Sequence, residues 1–216
     1  MFVDLSDKAP WHLAFNKGFI PVLEVPSGEM FPESGINMEY AMQVAGPDQG
    51  ISLIPSDPVK AAQMRTTMAK FDSEFLPVMF KVYLGKYKEG PAQEFLDQGV
   101  PMMERYCAQT TDGKWIMGTD DLTMADIHIG AMWDFLFSFS KGQGLRSCFD
   151  KLNFAENAPK WHSYMERLRA HPKIEPACMS LEAASRMSKR LEEWTSEEKC
   201  QLNLGVLVGG VFPDLP

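Results

Sequence analysis

Two different hydrophobic patterns divide the chain. From residue 58 onward the apolar residues return at helical intervals. Met64, Met68, Phe71, Phe75, Met79 and Val82 follow at steps of four, three, four, four and three, which puts them on one face of a long helix. Asp57 is its expected N-cap and Pro58 its first helical residue. Pro77 falls inside and is expected to kink the helix, because its nitrogen has no proton to donate to the preceding turn. A second helix carries Phe95, Met102, Met103 and Tyr106, with Gly99 and Pro101 interrupting its middle. Ile127 to Phe137 is apolar on nearly all sides, as a helix at the centre of a bundle would be. Another helix is expected from Pro159 through WHSYMERLRAH, ended by Pro172, and a last one over LEAASRMSKRLEEW.

Ahead of residue 46 the apolar residues come in short runs. Ile20, Val22, Leu23 and Val25 read as a strand, Pro26-Ser27-Gly28 as a tight turn, and Glu29-Met30-Phe31 as a second strand antiparallel to the first. Pro21 has no place inside a sheet ladder, so it belongs at the strand's first residue, on an edge or in a cis turn. From Ser34 to about Val44 a helix is expected, with Ile36, Met38, Tyr40 and Ala41 as its apolar stripe. GPDQGISLIPSDP, rich in Gly, Pro and Asp, joins the two regions. The fold class is α+β, with a small αβ module over residues 1–46, a linker over 47–57, an all-helical domain over 58–180, and a C-terminal helix and apolar tail over 181–216.

Charge and composition narrow the partners. The 216 residues include 21 Lys and Arg against 29 Asp and Glu, a net charge of −8 that repels phosphate backbones and anionic lipid. Nucleic acid and membranes are therefore not expected partners. The most apolar run, Leu202 to Phe212, is broken by three glycines and falls short of the roughly 18 residues a membrane span needs. MFVDLSDKAPW has no basic region leading into an apolar stretch, so no signal peptide is expected and the location is cytoplasmic, with reduced thiols. Cys107, Cys148, Cys178 and Cys200 stand singly, and His12, His128, His162 and His171 show no metal-ligand spacing. No metal is expected.

Two places carry local chemistry. Thr123 and Asp126 have the spacing of a capping box, Thr123 capping the Asp126 amide while the Asp126 carboxylate reaches back to the Thr123 amide, with Leu122 and Ile127 at staple positions. Glu33-Ser34 opens the helix of the first module. It reads either as a simple cap or as an anion site, where hydroxyl and free amides meet the positive end of the helix dipole.

Taken together, Ile20-Pro21-Val22-Leu23-Glu24, Glu33-Ser34, Leu122-Thr123-Met124-Ala125-Asp126-Ile127 and APKWHSYMERLRAHP resemble the cytosolic glutathione transferase family, most closely its omega-like or dehydroascorbate-reductase-like branches. The resemblance implies a truncated thioredoxin-like N-terminal module that binds glutathione, followed by an all-α glutathione-transferase domain that holds a small apolar second substrate. It implies that Pro21 is cis, that Ile20 offers backbone groups to the cysteinyl part of glutathione, and that Glu33 and Ser34 hold the γ-glutamyl end. A homodimer is expected, or a hetero-partner that completes the sheet.

Two departures from that family are expected to matter. VDLSDKAPWHLAFN already resembles the segment after the second strand, so the first βα unit, with the usual catalytic Cys, Ser or Tyr, is missing and the catalytic residue is unknown. Phe19 stands where omega-like members carry a lysine. The functional expectation is thus conjugation of glutathione to small electrophiles, or thiol-dependent reduction. The alternative is a non-catalytic module kept for protein contacts. The tail GVLVGGVF would then either replace the missing unit or pack as a surface coil.

Overall fold

The computed structural model describes residues 8–19, 21–46, 52–84, 89–141 and 152–186. Ile20, Cys148, Cys200 and the apolar tail lie outside the described residues. The chain divides into two compact units, the boundary falling between Ser52 and Leu53.

The first unit begins with a helix that sequence reading did not anticipate, α1 (Pro10–Asn16). Pro10 occupies its first turn, where a missing N–H costs nothing, and Lys17 and Gly18 end it in left-handed conformations, with φ of 49° and 76°. Strands β1 (Val22–Glu24) and β2 (Met30–Pro32) pair antiparallel in the register Val22 to Pro32, Leu23 to Phe31 and Glu24 to Met30. The Val25 amide donates to the Glu29 carbonyl at 2.9 Å and the Gly28 amide to the Val25 carbonyl at 2.8 Å, closing the turn. Pro21 precedes the ladder and Pro32 ends it, so neither interrupts the pairing.

Helix α2 (Ser34–Ala45) follows, and the Tyr40 ring stacks on Phe31 of β2 at 6.1 Å. The expected apolar stripe does not form. Ile36 is 55 % exposed and Ala41 is exposed, while Met38 and Tyr40 are half-buried. Residues 36 and 38 lie about 200° apart around a helix at 3.6 residues per turn, so the four positions belong to two faces.

The second unit is built of helices joined by turns, with no strand among its described residues. Helix α3 (Pro58–Lys70) starts at Asp57, whose carboxylate accepts from the Val59 amide at 2.8 Å. Pro77 does not produce a simple kink. A single wide turn spans Phe71–Phe75, with the Leu76 amide donating to the Phe71 carbonyl five residues back, and α4 (Leu76–Leu84) continues from it. The same device recurs after α5 (Glu89–Glu94): a wide turn spans Phe95–Gly99, the Val100 amide donates to the Phe95 carbonyl, and α6 (Val100–Tyr106) carries Pro101 at its start. Both sites read Phe, four residues, Leu or Val, then Pro. Proline lacks the amide proton and crowds the carbonyl four residues back, and one extra residue in the turn relieves the crowding without ending the helix.

Helix α7 (Met124–Lys141) forms the centre of the unit. Trp133 is fully buried there and meets Phe71, Phe75, Tyr106, Trp161 and Tyr164 edge to face at 5.7 to 6.3 Å. A short helix α8 (Phe154–Asn157) and then α9 (Pro159–Arg169) close the core with Phe154, Trp161, Tyr164, Met165 and Leu168. The Glu104 carboxylate of α6 accepts from the Trp161 amide at 3.0 Å, satisfying a free donor in the first turn of α9. Residues 181–186 are helical, and the remainder of the last expected helix lies outside the described residues.

Helices α7 and α9 touch at Gly130, where an added Cβ would fall 2.4 Å from Cδ2 of Leu168. Gly130→Ala is expected to cost about 1–3 kcal/mol by overpacking. Leu168→Val removes part of the clash, so the two substitutions should couple favourably in a double-mutant cycle read by thermal unfolding. Strict additivity would show that the contact is not the cause.

Candidate functional site

In the first unit the chain just ahead of Pro21 is held by α1. His12 and Asn16, one turn apart on that helix, converge on the Phe19 carbonyl: His12 Nε2 at 2.7 Å and Asn16 Nδ2 at 3.1 Å. His12 is buried, and its Nε2 acts as donor because a carbonyl only accepts. Its Nδ1 has no partner among the described residues. The i, i+4 spacing of His12 and Asn16 was a readable signal for this anchor, but only once α1 is known to exist. Phe19 is held through its backbone carbonyl, and Pro21 is exposed immediately before β1.

Glu33, not Ser34, is the N-cap of α2; Ser34 is the first helical residue. Glu33 sits at φ 73°, ψ 117°, a left-handed conformation rare for a residue with a side chain. Its side chain makes no capping bond, and both Glu33 and Ser34 are exposed. The first turn of α2 thus opens to solvent with its amides uncapped by the preceding side chain, beside a hydroxyl. Nothing in the local sequence marks the strained backbone at Glu33, since glycine and asparagine are the usual residues there.

In the second unit the polar centre is Asp126. Its Oδ2 accepts from the Thr123 amide at 2.8 Å and from the Thr123 hydroxyl at 3.0 Å. The Thr123 hydroxyl therefore donates to the carboxylate; the Asp126 amide goes instead to the Thr123 carbonyl at 3.1 Å. Oδ1 accepts from the Ile116 amide at 2.9 Å and the Tyr164 hydroxyl at 3.0 Å. Those last two partners are 10 and 38 residues distant, beyond any local pattern. Burial raises the Asp126 carboxyl above its ordinary range, and the four donors oppose that rise. The same burial, with the Asp126 charge behind it, pushes the Tyr164 phenol up.

The loop delivering the Ile116 amide is bent through Met117 at φ 68°, a conformation held by the Asp126 bond on one side and the Gly118 amide on the Trp115 carbonyl, at 2.9 Å, on the other. Arg167 lies over the Trp115 ring at 4.6 Å and donates to the Thr110 carbonyl at 3.1 Å. His128 on α7 meets the Asp72 carboxylate of the first wide turn at 2.7 Å, which makes it a satisfied, mostly buried partner.

The two described thiols are not activated. Cys107 is fully buried, and burial drives its thiol well above the ordinary value. Cys178 is half-buried and also raised, again first by burial. Among the described residues, no group of three His, Cys, Asp or Glu side chains could hold a metal ion, and no helix is long and apolar enough to cross a membrane.

No family model matches the chain. It is 28% identical over 163 residues to the probable glutathione S-transferase BZ2 of Zea mays, an alignment covering 72% of this chain and 67% of the maize protein. It is 34% identical over 88 residues to glutathione S-transferase omega-1 of Mus musculus, covering 40% of this chain and 35% of that protein. The chain thus spans about two thirds of one relative and about one third of the other. Its fold superposes on the tau class glutathione S-transferase of the mango Mangifera indica with a TM-score of 0.67, at 22% identity, over 87% of this chain and 84% of that one. In sequence the chain is similar to glutathione S-transferases, and its fold is the one their structures share. It comprises a thioredoxin-like module, two-stranded among its described residues, followed by an all-helical domain.

Asp126→Asn keeps the shape but places an NH2 against two donors. The expected loss is about 2–4 kcal/mol. At 2–4 °C per kcal/mol for a chain of this size, the melting temperature should fall by about 5–15 °C. Tyr164→Phe, which removes one donor, should cost about 1–2 kcal/mol. A melting temperature unchanged in Asp126→Asn would show that the carboxylate does not organise this end of the core.

Proposed function

We propose that the chain is a glutathione-binding protein of transferase type, joining glutathione to small apolar electrophiles or using it as a thiol reductant. In this reading Ser34 and the free amides of α2 receive the γ-glutamyl carboxylate, and Glu33 accepts from its ammonium group. The main-chain groups at Ile20 and Pro21 take the cysteinyl part. The protein works in the cytoplasm as a homodimer or beside a hetero-partner.

One observation carries the reading: Glu33 holds a costly left-handed backbone in front of an exposed Ser34, and its side chain makes no capping bond in return. Strain of this kind costs on the order of 1–3 kcal/mol and is retained where it serves a site. Both relatives bear the name glutathione S-transferase, which supports the same ligand.

A second reading, a non-catalytic module used for protein contacts, is favoured by the raised thiols of Cys107 and Cys178, neither of which is poised as a nucleophile. Glutathione binding without turnover would separate the two.

The test is calorimetric titration with glutathione. Weak binding is expected, with Ser34→Ala weakening it at least tenfold, about 1.4 kcal/mol. Glu33→Gly should behave oppositely in two assays. It relieves the backbone strain and raises stability by about 1 kcal/mol, yet it weakens glutathione. Micromolar affinity that survives Ser34→Ala would move the site elsewhere.

A further inference from the structure

The loop between α6 and the strained turn at Ile116 holds the chain's single aspartate followed by glycine, Asp112-Gly113, and no asparagine in the chain precedes a glycine. The Lys114 amide donates to the Thr111 carbonyl at 3.0 Å, closing a four-residue turn with Asp112 and Gly113 at its centre. Both central residues are left-handed, with φ of 56° and 80°, the geometry of a tight turn that Asp-Gly favours. Thr111, Asp112 and Gly113 are exposed, and a Cβ added at Gly113 would meet nothing within 4 Å.

Two groups in this turn can react with one another, and neither is engaged elsewhere. Among the described residues the Asp112 carboxyl has no hydrogen-bond or ion-pair partner, and the Gly113 amide has none either. Other aspartates are held: Asp120 by Lys114, and Asp72, which precedes Ser73, by His128. We propose that Asp112-Gly113 is a modification site, at which the chain converts spontaneously to isoaspartate.

The Gly113 nitrogen attacks Cγ of the protonated Asp112 carboxyl. A bond forms between them, and the amide proton and the carboxyl hydroxyl leave together as water, giving a five-membered cyclic imide. Water then adds to one of the imide's two carbonyls. Breaking the new nitrogen to Cγ bond restores aspartate. Breaking the original peptide bond instead leaves the main chain running through Cβ and Cγ, with the former main-chain carbonyl carbon as a free carboxylate. Nothing is oxidised or reduced, and mass and charge end unchanged. The nitrogen has to turn toward Cγ, and within the turn only the Lys114 to Thr111 bond opposes it, at an exposed tip where local opening is easy.

The product matters because this turn sets the spacing of two carbonyls that clasp Arg167. The guanidinium donates to the Thr110 carbonyl at 3.1 Å and to the Lys114 carbonyl, and it lies over the Trp115 ring at 4.6 Å. Isoaspartate inserts one extra main-chain atom between those carbonyls and so loosens the clasp. Two residues beyond Lys114, the Ile116 amide reaches the Asp126 carboxylate, so a change at an exposed tip is transmitted toward the buried centre of the unit.

The test keeps the folded full chain at physiological pH and temperature for several weeks. Isoaspartate is mapped by peptide mass spectrometry after digestion with a protease that cuts before aspartate but not before isoaspartate. Conversion at residue 112 should exceed that at every other aspartate by about tenfold or more, and should run within about tenfold of the rate in a free peptide of residues 109–115. Asp112→Glu, which would need a six-membered ring, should abolish it. Asp112→Asn, which suits a left-handed turn, should react faster and release ammonia in place of water. The isoaspartyl fraction should melt about 3–10 °C below the unmodified chain, whereas Asp112→Glu kept for the same time should not change. Protection of the folded chain while the free peptide reacts, isoaspartate spread evenly over the aspartates, or an unchanged melting temperature in the isoaspartyl fraction would each overturn the proposal.

Discussion

The helical unit depends on one buried carboxylate. Asp126 is fully removed from water, where an isolated charge is untenable, and it is kept because four donors surround its two oxygens. Those donors come from the residue before α7, from the strained turn at Ile116 and from the middle of α9. One side chain therefore sets where α7 begins, how the preceding loop enters and where α9 lies across it. The Met124 amide, beside this carboxylate in the sequence, donates to the Leu53 carbonyl at 2.9 Å and draws the start of the unit to the same place.

A second constraint is covalent. Pro77 and Pro101 each remove an amide from a helix that the hydrophobic pattern requires to continue. Ending the helix would turn apolar residues out of the core, whereas widening one turn keeps them in. Phe71 and Phe75, at the two ends of the first wide turn, remain stacked at 4.9 Å, and Phe75 meets Phe95, the first residue of the second, at 6.0 Å. The two adjusted turns pack against one another at the aromatic centre, and Trp133 rests on the first. His128 fixes the outer side of that turn through Asp72.

Legibility in the sequence followed the range of the forces. The buried face of α3 through α4 was readable from Met64 to Met79, because burial repeats with the helix and every one of those residues is buried. The Asp57 and Pro58 start and the Asp126 to Thr123 amide bond were readable because capping is local. Tyr164 and the Ile116 amide were not, since nothing near Asp126 encodes partners brought by tertiary packing. Helix α1 was missed because seven residues carry too little period to show, even with Pro10 at its start. The wide turns were missed because a proline rule predicts a broken bond but not which relaxation results. In α2 the error was arithmetic: four apolar residues within six positions were assigned to one face although they alternate between two.

The same distinction separates the proposed ligand grip in the first unit from thiol activation in the second. A backbone device such as the left-handed Glu33 is set by its immediate neighbours, Pro32 closing β2 on one side and the first turn of α2 on the other. It needs no distant residue to exist, and it survives in a module with a two-stranded sheet among its described residues. Activating a thiol is different, because it requires a sulfur near donors or positive charge and open to a substrate. Cys107 fails on access, enclosed in the core with Glu104 and Asp126 adding negative charge, and Cys178 faces Asp134 as well as Arg169. The geometry proposed to grip a peptide-like thiol is therefore cheaper to retain than the geometry that would activate one.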